Sequence, residues 1–338
     1  MLFFLGLAAA LTPWVSAPVA LVAGVVLALT AGTPFPEQLK RAQGFLLKAA
    51  VVGLGAGMDL TVVLRVGQQG LVPTAVLVPG VVLAAVGLSR LMGAERTTGV
   101  LIGIGTAVCG GSAIAAAAPA MGARPHQSSV ALAVVFLLNA LALLVFPWAG
   151  HQLGLSERDF GLWSALAIHD TSSVVGASLA FGREALAVGT TVKLTRALAI
   201  IPLTLVLAAT WKRGEPGPRK VSVPVFIFLF VAVAALVTWV PALAGAGAVV
   251  AGVSRRLLVV SLFLVGLGVS REALARTGWR PAALGVTLWV AVSLVTLAGI
   301  RGGVLHAPDL GPVPAESSAV VAGSNVTAIT STAFPPTP

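Results

Sequence analysis

Tyrosine is absent from this 338-residue chain, cysteine occurs once, and charged residues make up only 9%. Each shortage excludes something. A lone Cys109 cannot close an intrachain disulfide or build a thiolate metal cluster. So few charges cannot clothe a water-soluble protein of this size, for which about 25% is usual. The four histidines show no His-x-x-x-His spacing, and neither a nucleophile elbow with a placed His and acid nor a phosphate loop is present. No enzyme, no cofactor and no metal site is therefore expected. The formal net charge of +10 would suggest nucleic acid in a soluble domain. Here the bases sit mainly between apolar runs, where membrane orientation explains them.

What is there is apolar. Hydrophobic residues reach 57% and mean hydropathy is +1.01. A bilayer is spanned by roughly 20 such residues, and runs of about that length cover 16–32, 45–62, 71–89, 98–119, 128–149, 160–181, 185–211, 221–240, 255–271 and 281–300. The expected fold is an all-α integral membrane protein, a polytopic bundle of ten transmembrane helices, or eleven if the short run 1–14 also crosses. That run has no basic n-region and no cleavage site set apart from the next span, which argues against a signal peptide. Residues 1–301 read as one transmembrane domain, and 302–338, rich in Ser, Thr, Pro and Gly, as a disordered tail. The sequon Asn325-Val-Thr327 falls in that tail.

Lys and Arg accumulate on the cytoplasmic side of membrane proteins. One set of alternate loops holds twelve: Lys40, Arg41, Arg90, Arg96, Arg158, Lys212, Arg213, Arg219, Lys220, Arg271, Arg276 and Arg280. The other holds six: Arg65, Arg124, Arg183, Arg255, Arg256 and Arg301. This predicts a multi-pass protein of the bacterial inner membrane, with the first set in the cytoplasm and the tail outside.

Three groups of polar residues interrupt the apolar runs. Thr106, Cys109, Gly110, Gly111 and Ser112 stand inside 98–119. Glycine exposes backbone and hydroxyls compete with helical hydrogen bonds, so this helix is expected to break. Lipid cannot satisfy the freed groups, so the break must be covered by protein or a wet cavity. His169, Asp170, Thr171, Ser172 and Ser173 lie inside 160–181, and Lys193 with Arg196 on neighbouring positions of one helical face inside 185–211. Broken-helix amides, hydroxyls and two cations compose a pocket for a small anion. In that pocket Asp170 and His169, with Asp59 as a further candidate, would couple transport to Na+ or H+. Plainer readings stand beside these: an ion pair of Asp170 with Lys193 or Arg196, a structural hydrogen bond from His169 to a carbonyl, and close helix packing at Gly110 to Ser112.

Two short echoes suggest inverted repeats, as in many secondary transporters. Residues 53–60 resemble 266–273, and 108–113 resemble 174–179. The longer motifs, Gly-Thr-Ala-Val-Cys-Gly-Gly-Ser-Ala-Ile at 105–114, His-Asp-Thr-Ser-Ser-Val-Val-Gly-Ala at 169–177 and Thr-Val-Lys-Leu-Thr-Arg at 191–196, resemble sulfate exporters of the YeiH type over roughly residues 16 to 300. The tail beyond about residue 302 has no counterpart there. That family is similar to the cation/proton antiporters and bile-acid symporters, whose inverted repeats each contain an unwound helix crossing another near mid-membrane. The resemblance implies a secondary transporter exporting sulfate, sulfite or an organosulfur anion. Thr106, Cys109, Gly110, Gly111, Ser112, Thr171, Ser172, Ser173, Lys193 and Arg196 are the expected substrate-binding residues. The expected partners are that anion and the lipid bilayer, with a second copy of the chain as a candidate. A sodium or proton antiporter using Asp170 is the alternative within transport. A non-transporting scaffold, or a hydrolase using Ser112 or Cys109 with His169, is the alternative from another class.

Overall fold

The computed structural model describes residues 2–12, 14–33, 35–211, 225–268 and 278–308, and among them there are helices and no strand. The helices are α1 (Leu2–Leu11), α2 (Ala17–Ala31), α3 (Pro36–Leu54), α4 (Leu60–Leu91), α5 (Arg96–Ala107), α6 (Gly111–Met121) and α7 (Pro125–Gln152). They continue with α8 (Glu157–Ala167), α9 (Thr171–Phe181), α10 (Arg183–Ala197), α11 (Ile200–Thr210), α12 (Val225–Trp239), α13 (Ala244–Leu267) and α14 (Trp279–Arg301). Five stretches are long and apolar enough to cross a membrane by length and composition: α4, α7, α10 with α11 to Leu207, Pro241–Leu267, and α14. An all-α polytopic membrane protein is what this architecture amounts to.

Side-chain contacts fix which helix ends lie together. Arg280 donates to the Gly93 carbonyl at 3.1 Å, and Arg96 stacks its guanidinium 4.9 Å from the Trp211 ring centre. The end of α4, the start of α5, the end of α11 and the start of α14 therefore share one end of the bundle, the Glu95 end. At the other, the Glu157 end, Arg301 donates to the Leu153 carbonyl at 2.8 Å. The 28 residues of α7 join the two ends, about 42 Å at 1.5 Å per residue. The Leu60 amide donates to Thr238 at 2.9 Å and Thr33 to the Leu267 carbonyl at 2.6 Å, which aligns α12, α13 and α2 with this frame. Gly24 and Gly266 let α2 and α13 touch backbone to backbone, since a Cβ at either would come within 2.2 or 2.3 Å of the facing carbonyl.

All ten expected apolar segments are helical in their described residues, but 98–119 and 160–181 do not run from end to end. They break and turn back. The Gln127 amide group donates to the Glu95 carboxylate, so the start of α5 lies beside the start of α7, just beyond α6. Glu157 accepts from the Glu184 amide at 2.8 Å, Arg158 pairs with Glu184 at 2.7 Å, and the Phe160 and Phe181 rings stack at 3.8 Å. Midway down the same pair, Ser164 and Ser178 hydroxyls meet at 3.0 Å. Each arm of 11 or 12 residues reaches about 16–18 Å, half of a hydrocarbon core of about 30 Å. The chain thus forms two half-depth helical hairpins, α5–α6 entering from the Glu95 end and α8–α9 from the Glu157 end. Hydropathy reports the summed length of two arms and is blind to a reversal between them.

Two smaller expectations also change. Arg255 and Arg256 lie within α13 and not in a loop before it, because the Ala/Gly-rich residues from 244 already form its first turns. The 108–113 and 174–179 echo pairs unlike places: the first is a break, the second the interior of α9. The 53–60 segment contains Asp59, whose carboxylate accepts from the Thr61 amide at 2.7 Å as the N-cap of α4; its echo runs past residue 268, outside the described residues. Among the described residues of 1–14, the helix is the ten-residue α1, packed on Phe263 through Phe3. The tail from 309, with its sequon, lies outside the described residues as well.

Candidate functional site

The two hairpins meet tip to tip. Gly110, at φ +63 and ψ −125, turns α5 into α6 in a conformation open to glycine, and a Cβ there would stand 3.2 Å from the Asp170 Cβ. At the facing tip, Ile168 and Asp170 are extended, and Asp170 caps α9 by accepting from the Ser172 amide at 3.0 Å and from the Ser172 hydroxyl. The third member is Asn139, at mid-length of α7, whose side-chain oxygen accepts from the Asp170 amide at 3.1 Å. Sequence reasoning passed over Asn139. Its signal was available, since a single amide side chain within an apolar span is costly unless it has a task.

Each tip exposes two kinds of helix end. The carbonyl ends of α5 and α8 point toward α10, and there stand Lys193 and Arg196, both fully buried. Arg196 bridges the hairpins: Nε donates to the Ala107 carbonyl at 2.5 Å and Nη2 to Thr106 at 3.0 Å, while Nη1 donates to Leu166 at 2.5 Å and Ala165 at 3.2 Å. Lys193 serves the second hairpin alone, with Nζ 2.7 Å from the Ile168 carbonyl and 3.4 Å from Ala165. Orphan carbonyls at a helix C-terminus carry roughly half a negative charge, so two cations are the natural complement in a place water does not reach. The sequence placed these cations on one helical face. It could not show that their donors turn to backbone.

The amide ends of α6 and α9 leave on the other side of the tips. α9 begins in protein, with Thr171, Ser172 and Ser173 buried. α6 begins with no side-chain cap; Gly111 is half-buried under the Phe136 ring and Ser112 is exposed. Asp170 is half-buried between them, and among the described residues no basic side chain lies within 4 Å of it. The ion pair considered from the sequence is therefore not formed. Cys109 is buried behind the tip, next to the Ala113 amide. His169 is 1% exposed and, among the described residues, neither ring nitrogen has a hydrogen-bond partner, so the expected bond to a carbonyl is not seen there. The hydroxyls of Thr106, Thr190 and Thr191 and the Asn139 side-chain nitrogen are likewise buried without partners among the described residues. Neither Ser112 nor Cys109 is hydrogen-bonded to His169, which leaves a nucleophile and base unassembled. Asp59 stands apart, exposed at the start of α4.

Comparison with known proteins gives a consistent result. The family model described as conserved hypothetical protein 698 matches residues 2–285. A UPF0324 membrane protein of Bdellovibrio bacteriovorus is 50% identical over 297 residues, covering 87% of this chain and 91% of the relative. One from Geobacter sulfurreducens is 46% identical over 299 residues, covering 88% and 95%, and one from Bacteroides thetaiotaomicron is 45% identical over 293 residues, covering 85% and 87%. No solved structure matches the chain.

Proposed function

The chain belongs to the conserved hypothetical protein 698 family of UPF0324 membrane proteins, and we propose from its own geometry that it is a secondary active transporter of a small anion. The observation that carries this is the meeting, deep in the bundle, of two half-depth hairpins from opposite ends over two buried cations. Discontinuous helices at mid-membrane are how transporters bring helix termini to a substrate. The charge balance favours an anion. The two carbonyl ends and two amide ends cancel to a first approximation, each being roughly half a charge. That leaves two cations against one carboxylate. Lys193 and Arg196 act on the anion through their field, with their hydrogen bonds given to carbonyls. The uncapped amides of α6, with Gly111 and Ser112, make the direct contact. Thr106, Cys109 and Thr171 to Ser173 shape the tips around it.

Sulfate, sulfite and organosulfur anions are the substrates to try first, following the motif resemblance. Export needs a coupling ion, and Asp170 with His169 is the proposed seat of Na+ or H+ coupling. The bundle is assigned to the bacterial inner membrane with the Glu95 end in the cytoplasm. Arg124 and Arg158 exchange ends relative to the sequence reading, so the bases, counted by the helix ends that flank them, remain twelve against six. A sodium or proton antiporter is the second reading, favoured by the half-buried Asp170 carboxylate, which forms no ion pair among the described residues.

Flux in proteoliposomes decides between them. Purified protein should carry radiolabelled sulfate or sulfite against a control anion under an imposed Na+ or pH gradient, and Gly110→Ala should reduce the flux at least about tenfold, a barrier change near 1.4 kcal/mol. Sodium-driven pH dissipation without added anion, abolished by Asp170→Asn, establishes the antiporter instead. Absence of both fluxes from folded protein rejects transport.

A further inference from the structure

At the Glu157 end, away from the hairpin tips, a pocket of about 370 Å³ opens between the α1–α2 turn, the end of α9 and the middle of α13. Ala180 lines it, and Ala180 lies ten residues along α9 from Asp170, about 15 Å. The pocket is therefore separate from the site described above.

Its lining is basic. Arg255 and Arg256 enter from α13, with Trp14 and Ser16 facing them from the α1–α2 turn. Arg256 is anchored, donating to the Thr12 and Val15 carbonyls at 2.8 and 3.1 Å. Arg255 is half-buried, and among the described residues it has neither a hydrogen bond nor an acidic partner. Its charged neighbour is another cation, Arg183 at the start of α10. The acids beside Arg183 are engaged elsewhere: its neighbour Glu184 with Arg158, and Glu157, packed on Gly182, with the Glu184 amide. Ser16 precedes α2, a 15-residue helix, and its side chain makes no capping bond, so the first-turn amides of Ala17 and Val19 also lack acceptors. No Asp or Glu lines the pocket.

We propose that this pocket binds a tetrahedral oxyanion, a phosphate or sulfate group, between Arg255 and the amide end of α2, with the exposed Arg183 adding its field from outside the lining. A guanidinium fork matches such a group in two bonds, and a helix amide end supplies further donors without a counter-charge. The half-buried Arg255 and the exposed Arg183 repel one another until an anion lowers the field they share. The same chemistry is offered by a lipid headgroup or by a free ion. Trp14 is 90% exposed at the mouth, where aromatic residues mark the headgroup level, and basic clefts between membrane helices suit lipid phosphates. The lipid is the favoured source. This assignment is independent of the transport reading.

The test uses the full-length protein purified in neutral detergent, followed by thermal unfolding and native mass spectrometry. Nanodiscs of phosphatidylcholine with and without phosphatidylglycerol form one arm; inorganic phosphate and sulfate over chloride form the other. Retention of and stabilisation by phosphatidylglycerol, weakened about tenfold in Arg255→Gln and Arg183→Gln, identify the lipid as occupant. Stabilisation by inorganic phosphate or sulfate, weakened in the same variants, identifies a free anion; both outcomes support the oxyanion site. Arg183 is exposed, so Arg183→Gln keeps the test decisive if Arg255→Gln fails to fold. Anion responses equal in wild type and Arg183→Gln, or absent from both arms, overturn the proposal.

Discussion

The two hairpins share a length and a depth but differ in how their tips are finished. The α8–α9 tip is closed: Asp170 caps α9, Asn139 receives the Asp170 amide, and Thr171 to Ser173 are buried. The α5–α6 tip is open, with glycine in place of a cap and Ser112 exposed. A capped helix end has met its own donors; an uncapped one retains them for something else. The contrast separates a tip that is held in place from a tip that can receive a ligand. The difference also runs through the cations, since Arg196 ties both hairpins and Lys193 ties only the closed one.

The largest expected effect breaks both tips together. Arg196→Gln leaves carbonyls of Thr106, Ala107, Ala165 and Leu166 short of donors in a place water cannot supply them. Each orphaned acceptor costs about 1–3 kcal/mol, and with relaxation the sum should be about 3 kcal/mol or more. Arg196→Lys should recover little, because an ammonium cannot span both hairpins as the fork does. Lys193→Met releases mainly the Ile168 carbonyl, for about 1–3 kcal/mol. Thermal unfolding in detergent should therefore rank Arg196→Gln well below Lys193→Met. Equal losses would remove the asymmetry between bridging and local cation.

Next in size is Gly110→Ala. A side chain at φ +63 and ψ −125 is strained by about 1–3 kcal/mol and would press on Asp170 across the tips. Gly87→Ala, within α4 and with open space around its Cβ, is the matched control, expected to be neutral or slightly stabilising. A Gly110→Ala protein that unfolds and transports like wild type would show that the tips need not touch.

Much of this was legible beforehand, for physical reasons that also mark its limit. Scarcity of charge and runs of apolar residues gave the membrane class, and glycines and hydroxyls at 105–112 and 169–173 located both breaks, because lipid penalises such residues wherever the backbone is irregular. The reversal of path was not legible, since a hydropathy window records how many apolar residues occur and not which way the chain runs. Its trace lies in pairs far apart in sequence, Glu95 with Gln127 and Glu157 with Glu184, which carry no local signature. The cations at 193 and 196 read as deep from the sequence, but their charge suggests a ligand where the structure gives carbonyls. Backbone acceptors have no letter in a sequence.

The open tip can be probed by chemistry. In Ser112→Cys, with Cys109 replaced by serine, a membrane-impermeant maleimide should label the thiol at least about tenfold faster than in Ser172→Cys on the same background, because only the ionised, reachable thiolate reacts. Substrate anion should slow the labelling of the first and leave the second unchanged. Ser112 labelled only by apolar reagents would place this face against lipid, and the open tip would then be no entrance for an anion.

The smallest effects give the sharpest version of the contrast. Ser172 is 1% exposed and its hydroxyl bonds to the Asp170 carboxylate, so Ser172→Ala removes a buried bond to a charged group and should cost about 1–2 kcal/mol. Ser112 is exposed with no partner within the described residues, and Ser112→Ala should change stability by no more than about 0.5 kcal/mol. Flux should order the two the other way at the level of apparent affinity. Removing a hydroxyl that meets the anion raises KM, whereas removing one that supports a cap lowers the amount of folded protein and leaves KM in place. If the two alanines instead share one pattern, the tips are equivalent, and the finish of each helix end has no bearing on where the anion sits.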